Sequence, residues 1–149
     1  MLEFDFVDDT TIPSLPVGVW EGSLPWPVTA EMQAQFQGFY ECVVQGNRRA
    51  NLTRILEPMD FWEKHLWDSL RGVLPFLSGE MPLSGSPRVV DIGTGGGFPG
   101  LPLAIARPDW SLTLLDSTQK KVRFLQAAIT RLQLSQVGAI AGRAETLGG

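Results

Sequence analysis

The sequence predicts an α/β fold, a parallel sheet preceded by helices. Three observations carry that reading. Residues 88–141 alternate short β-rich runs with helical runs in the order β-α-β-α-β, which implies a parallel sheet with right-handed crossovers. The first β-rich run ends at a cluster of glycines between positions 93 and 100. Before these, residues 29–77 carry apolar side chains at spacings of three and four, the signature of helical faces.

Residues 1–28 hold Pro13, Pro16, Pro25 and Pro27 with Gly18 and Gly22, and read as an irregular, turn-rich segment. Thr29 is a suitable N-cap, with Glu31 in the favourable first turn of the helix that follows. Met32, Phe36, Phe39, Tyr40, Val43 and Val44 form its apolar face, and Gly46 is its natural stop. Residues 51–53 are a short loop. A second helix begins near Pro58, a good first-turn residue, and Gly72 and Pro75 break it. Residues 78–87, rich in Gly, Pro and Ser, read as a linker between the helical region (29–77) and the α/β part (88–149).

In that second part, 88–92 is a strand and 100–107 an apolar helix closed by Pro108. Residues 111–115 are a second strand ending in Asp116, 118–134 an amphipathic helix, and 136–141 a third strand. Val122, Leu125, Ile129 and Leu132 face inward on that helix, and Lys120, Lys121 and Arg131 face water.

The chain has 149 residues, 44% of them hydrophobic and 19% charged, which excludes a largely disordered chain. One cysteine, Cys42, and one histidine, His65, leave no cysteine-based or histidine-rich metal site. Cys42 is expected to be a small buried hydrophobe. No apolar run is long enough for a transmembrane helix, and the N-terminus is acidic where a signal peptide would be basic. These features point to the cytoplasm. The net charge of −4 hides an asymmetry: residues 1–47 carry seven acids and no Lys or Arg, and the remainder is net positive.

The chemistry concentrates at Asp91-Ile92-Gly93-Thr94-Gly95-Gly96-Gly97-Phe98-Pro99-Gly100. A strand, a glycine turn and a helix N-terminus let the backbone approach a ligand closely. A dinucleotide fingerprint G-x-G-x-x-G would need a glycine at 98, where Phe98 stands. The pattern present, Asp91-x-Gly93-x-Gly95-x-Gly97, is the form used to bind S-adenosylmethionine. Asp116 ends the second strand and suits the two hydroxyls of a ribose. The candidate cofactor residues on these elements are Asp91, Gly93, Gly95, Gly97, Phe98 and Asp116. His65, Asp68 and Ser69 share one helical face, a spacing unsuited to a hydrolase relay. His65 and Asp68 are candidates for a cap over the pocket.

The run of motifs extends further. Asn51-Leu52-Thr53, His65-x-x-Asp68-Ser69, the 91–105 segment with its Gly-Phe-Pro-Gly-Leu-Pro run, Leu115-Asp116-Ser117, Lys120-Lys121-Val122-x-Phe124-Leu125 and Gly142-Arg143-Ala144-Glu145 follow in order. Over about residues 29–147 the chain resembles the RsmG (GidB) family, whose members methylate N7 of one guanine in bacterial small-subunit ribosomal RNA. The resemblance implies a Rossmann-like class I methyltransferase sheet, of which this chain holds the first three strands, preceded by N-terminal helices. It implies S-adenosylmethionine as cofactor, with Gly93, Gly95 and Gly97 around its methionine part, Asp116 at the ribose, and Ala144 and Glu145 beside the adenine. It places Lys120 and Arg123 where basic residues could meet RNA, and implies ribosomal RNA or a ribosomal particle as partner, no metal and no membrane, and a monomer when complete. Family members continue for several strands and helices beyond position 149, so activity of this chain alone is in question. A remnant that does not catalyse is the first alternative, and a nicotinamide-dependent oxidoreductase on the same plan is the second.

Overall fold

The computed structural model describes residues 3–16, 18, 22–24, 26–77, 85–143 and 145. Its elements are α1 (Ala30–Gly46), α2 (Pro58–Phe61), a π-helical turn (Trp62–Trp67), α3 (Asp68–Arg71), α4 (Leu74–Leu77), β1 (Arg88–Ile92), α5 (Gly100–Ala106), β2 (Ser111–Asp116), α6 (Gln119–Leu132) and β3 (Val137–Ala141). The strands form a parallel sheet in the order β1-β2-β3, with Val90 opposite Thr113 and Thr113 opposite Gly138. The expected strand-helix alternation is therefore present. Of the expected linker, only 85–87 fall within the described residues.

Successive strand residues point to opposite faces. Leu112 and Leu114 point toward α5 and α6 and are buried, whereas Val90, Ile92 and Ile140 point the other way, 59%, 64% and 49% exposed. The cause is topological. Both crossovers step across the sheet in the same direction, so right-handedness places both helices on one face.

Helix α1 lies over α5 and α6 as a third layer. The Thr29 hydroxyl accepts the Met32 N–H at 3.1 Å and starts it. Its contact with α6 uses a notch of small residues one turn apart, Gly38, Cys42 and Gly46. A Cβ on Gly38 would sit 2.9 Å from Leu132 Cδ2, and one on Gly46 would run into the Phe124 ring. Gly46 thus ends the helix, as expected, and also admits a neighbour. The other face of α1 buries Phe36, Phe39, Tyr40 and Val43, each worth roughly 1.5–3 kcal/mol on full burial.

The second helical run starts at Pro58, as expected. The Glu57 carboxylate caps it, accepting the Met59 and Asp60 N–H groups at 3.2 and 3.0 Å. The N-terminal segment is irregular yet belongs to the core, since Phe4, Ile12, Leu15 and Leu24 are buried. Two glutamines on α1 hold it. Gln45 Oε1 accepts the Val7 N–H at 3.0 Å while its amide donates to Val7 O at 2.8 Å. Gln37 pairs in the same manner with Leu15 N and Pro13 O, at 2.7 and 3.1 Å.

Candidate cofactor site

The glycine loop joins β1 to α5 at the carboxyl ends of the strands. Gly93, Gly95 and Gly97 have φ of +70°, +56° and +102°, a region that L side chains avoid. Beyond that shared backbone need, the glycines do two different jobs. A Cβ on Gly93 or Gly95 would meet nothing within 4 Å, so these two present bare backbone to open space. A Cβ on Gly97 would fall 2.7 Å from Leu101 Cδ1, and one on Gly100 would collide with Leu114. Those two let α5 pack onto the sheet.

Two carboxylates brace the loop. Asp116 Oδ2 accepts the Gly95 N–H at 2.9 Å, and Oδ1 accepts the Thr118 N–H at 2.8 Å. Burial alone would raise its pKa, but the N–H bonds from Thr118 and Gly95 outweigh that and hold it below the usual carboxylate range. Asp91 Oδ2 accepts the Gly100 N–H at 3.0 Å, at the start of α5. Burial raises the Asp91 carboxyl, and the neighbouring Asp116 charge adds to the rise.

The helical part meets the loop through Phe98. The His65 ring stacks on Phe98 with centroids 4.2 Å apart and planes 14° from parallel. Phe39 and Phe61 surround Phe98 at 5.4 and 6.0 Å. His65 Nε2 shares a 2.7 Å hydrogen bond with the Thr53 hydroxyl. Burial lowers the imidazole pKa, opposed by the Asp68 charge, so the ring is held neutral. Asn47 Oδ1 fixes the 52–53 loop by accepting the Leu52 and Thr53 N–H groups at 2.9 and 3.1 Å. Asn47 is not among the candidates expected from the sequence. Asn51-Leu52-Thr53 was visible as a motif, but nothing in its spacing pointed to His65.

The structure therefore gathers Asp91, Gly93, Gly95, Gly97, Phe98, Asp116 and His65 around one loop. Asp68 is exposed and paired with Arg71 at 2.7 Å. Lys120 is exposed in the first turn of α6, and Arg123 is paired with Glu3 at 2.6 Å. Glu145 is exposed beyond β3, and Ala144 lies outside the described residues. Among the described residues no group of His, Cys, Asp or Glu is arranged to hold a metal, and no helix is long and apolar enough to cross a membrane.

The Gly93 and Gly95 N–H groups are already committed, to Leu115 O at 2.8 Å and to Asp116 Oδ2 at 2.9 Å, so what these glycines offer a ligand is close approach of the backbone. The open backbone at Gly93 and Gly95 can face a ligand, and beside it stands a carboxylate held ionised. The third fingerprint glycine serves close helix–strand packing; here Gly97 and Gly100 admit that packing, and Phe98 stands at the fingerprint position with its ring among Phe39, Phe61 and His65.

Comparison with known proteins places the chain in a family. A family model, GidB, described as rRNA small subunit methyltransferase G, matches residues 32–148. A protein of Nostoc punctiforme named ribosomal RNA small subunit methyltransferase G is 55% identical over 130 residues, covering 87% of this chain and 53% of the relative. Its namesake in Microcystis aeruginosa is 52% identical over 132 residues, 87% of this chain and 58% of the relative. That of Trichodesmium erythraeum is 46% identical over 144 residues, 95% of this chain and 56% of the relative. The chain spans about half the length of these curated relatives.

Proposed function

This chain belongs to the rRNA small subunit methyltransferase G family, and on that premise we propose that its 93–97 loop and Asp116 bind S-adenosylmethionine for methylation of N7 of a guanine in small-subunit ribosomal RNA. One observation supports the cofactor most: bare, positive-φ backbone at Gly93 and Gly95 sits directly beside an ionised, braced Asp116. In this reading the loop carries the methionine end, Asp116 accepts from the ribose, and Glu145 borders the adenine with Ala144. Lys120 and Arg123 belong to the RNA side. His65 stacked on Phe98 forms a flat apolar wall that keeps water from the methyl group, with Asp68 outside it.

When bound, the cofactor supplies an electrophilic methyl to a ring nitrogen that already has a free lone pair. No proton need be removed first, so the protein's task is in-line alignment and exclusion of water. A site poor in His and Cys is suited to that task. N7 faces a groove too deep and narrow to reach in A-form RNA, so the target guanine lies in irregular or single-stranded RNA.

Calorimetric titration tests the reading. S-adenosylmethionine or its demethylated product should bind in preference to NAD, and Gly95→Val should remove the binding by placing a β-branched side chain at φ +56°. Tighter binding of NAD, or an unchanged affinity in Gly95→Val, would overturn it. Asp116→Ala should cost about 1.5–3 kcal/mol of cofactor binding, the range for hydrogen bonds to a charged group.

A further inference from the structure

The charge asymmetry of the sequence becomes a physical contact in the fold. Residues 3–9 run as an acidic strap over the surface where α1 meets α6. Glu3 pairs with Arg123 at 2.6 Å, Asp8 with Arg131 at 2.6 Å, and Asp9 with Arg48 at 3.7 Å. Glu3 also feels the charges of Lys120 and Arg49. Five cations drawn from two distant stretches of chain, 48–49 and 120–131, therefore share one surface, and the strap lies on it.

The strap has a fixed part and an exchangeable part. Phe4 is buried, Phe4 and Phe6 meet Phe124 edge-on at 5.6 and 5.9 Å, and Gln45 grips Val7. The ion pairs, in contrast, are open to water: the arginine side chains are 42–65% exposed, Asp8 96%, Glu3 33% and Asp9 21%. Exposed pairs of this kind contribute little to stability. A phosphate oxygen can replace a carboxylate oxygen on any of the three guanidiniums, forming a charge-assisted bond at least as strong, while Phe4 stays seated. The family model begins at residue 32, while the Trichodesmium erythraeum relative, matched over 95% of the chain, reaches into the strap.

We propose that Arg48, Arg123 and Arg131, with Arg49 and Lys120 beside them, form a surface for an RNA phosphate backbone, and that the strap's Glu3, Asp8 and Asp9 compete with RNA for it. The choice of RNA rests on the methyltransferase reading above. The strap sets the threshold: short or weakly charged strands fail to displace three carboxylates at once, whereas a structured RNA offering several phosphates succeeds.

The test uses E3Q/D8N in the full chain. Both side chains are surface groups whose described bonds are to the arginines, whereas Asp9 also holds the Thr11 N–H at 2.9 Å and is left intact. The probe is a single-stranded RNA of about 20 nucleotides, titrated by fluorescence anisotropy across a salt series without any cofactor. E3Q/D8N should bind at least threefold more tightly than the parent at low salt. Its plot of log affinity against log salt should be steeper by about 1.4, two arginines at about 0.7 each. E63Q, a neutralisation on the π-helical turn, should change neither quantity. Adding R123Q/R131Q to E3Q/D8N should abolish the gain. Equal affinity and slope for parent and E3Q/D8N, no RNA binding by either, or a gain that survives R123Q/R131Q would overturn the proposal. Because no S-adenosylmethionine is present, those outcomes leave the cofactor reading untouched, and a failed cofactor titration leaves this assay readable.

Discussion

Leu114 and Ile92 sit on neighbouring strands of the same sheet, yet Leu114 is 0% exposed and Ile92 64%. Their residue types are equally apolar, so composition does not separate them. The difference lies in which face each points to, and both helical crossovers fall on Leu114's side. Parallel sheets elsewhere are covered on both faces. Here the covered face carries packing, the braced carboxylates and the glycine loop, while Val90, Ile92 and Ile140 stand in solvent at a sheet whose β1 is an edge among the described strands. Burial thus belongs to topology before it belongs to the side chain.

The contrast can be broken by substitution. Leu114→Ala, on the covered face, should cost about 3–5 kcal/mol in urea unfolding, and a loss under 1 kcal/mol would mean that the helical layer does not bear on β2 as described. Gly100→Ala should cost about 1–3 kcal/mol by overpacking against Leu114 and Asp91. On the bare face, Val90→Thr or Ile140→Thr should change stability by about 0.5 kcal/mol or less. An unpaired apolar edge invites self-association, so Ile92→Lys should lower the sedimentation-derived oligomer fraction relative to the parent. A strictly monomeric parent at high concentration would show that the bare face is harmless.

The smallest expected effect sharpens the same contrast through pH. Among the described strand residues the bare face carries Arg88 and no acid, whereas Asp91 and Asp116 share the covered face and His65 abuts the loop beside it. The lowered pKa of Asp116 gives stability present above the ordinary carboxylate value and lost as pH falls through its folded value. The raised pKa of Asp91 acts oppositely, favouring the fold on acidification. The lowered pKa of His65 gives stability present above 6.5 that is lost as pH falls from there toward its folded value. Asp116 titrates below pH 5, so from pH 7 to 5 His65 lowers the denaturation midpoint while Asp91 opposes it, and His65→Gln should remove the falling component. A midpoint profile that His65→Gln leaves unchanged over this range would contradict a buried neutral imidazole.

Much of the fold was legible because it rests on local rules. Residues 88–92 and Asp116 were readable from β-branched runs ending at glycine or acid, and α1 from the Thr29 cap. The 118–134 helix is shorter than its pattern, because Gln133 takes a left-handed φ of +56° and closes it. The π-helical turn was invisible, since its side-chain spacing differs from that of an α-helix by less than one residue per turn. The glycine run announced a ligand loop but not its division of labour. Gly93 and Gly97 look alike in sequence, and only the neighbours Leu101 and Leu125 tell them apart. The strap was least legible of all. Arg123 and Glu3 are 120 positions apart, and no spacing rule reaches that far.

The notch of Gly38, Cys42 and Gly46 has one more consequence, a kinetic one. Cys42 is the chain's single thiol, 2% exposed where α6 presses on α1. Burial pushes its pKa up to about 12, and thiol reagents attack the thiolate. In the closed molecule the sulfur is therefore both unreachable and uncharged. It can react only during moments when the two helices part, so the rate of labelling counts those moments. The fold thus carries its own clock for the opening of the layer that supports the glycine loop.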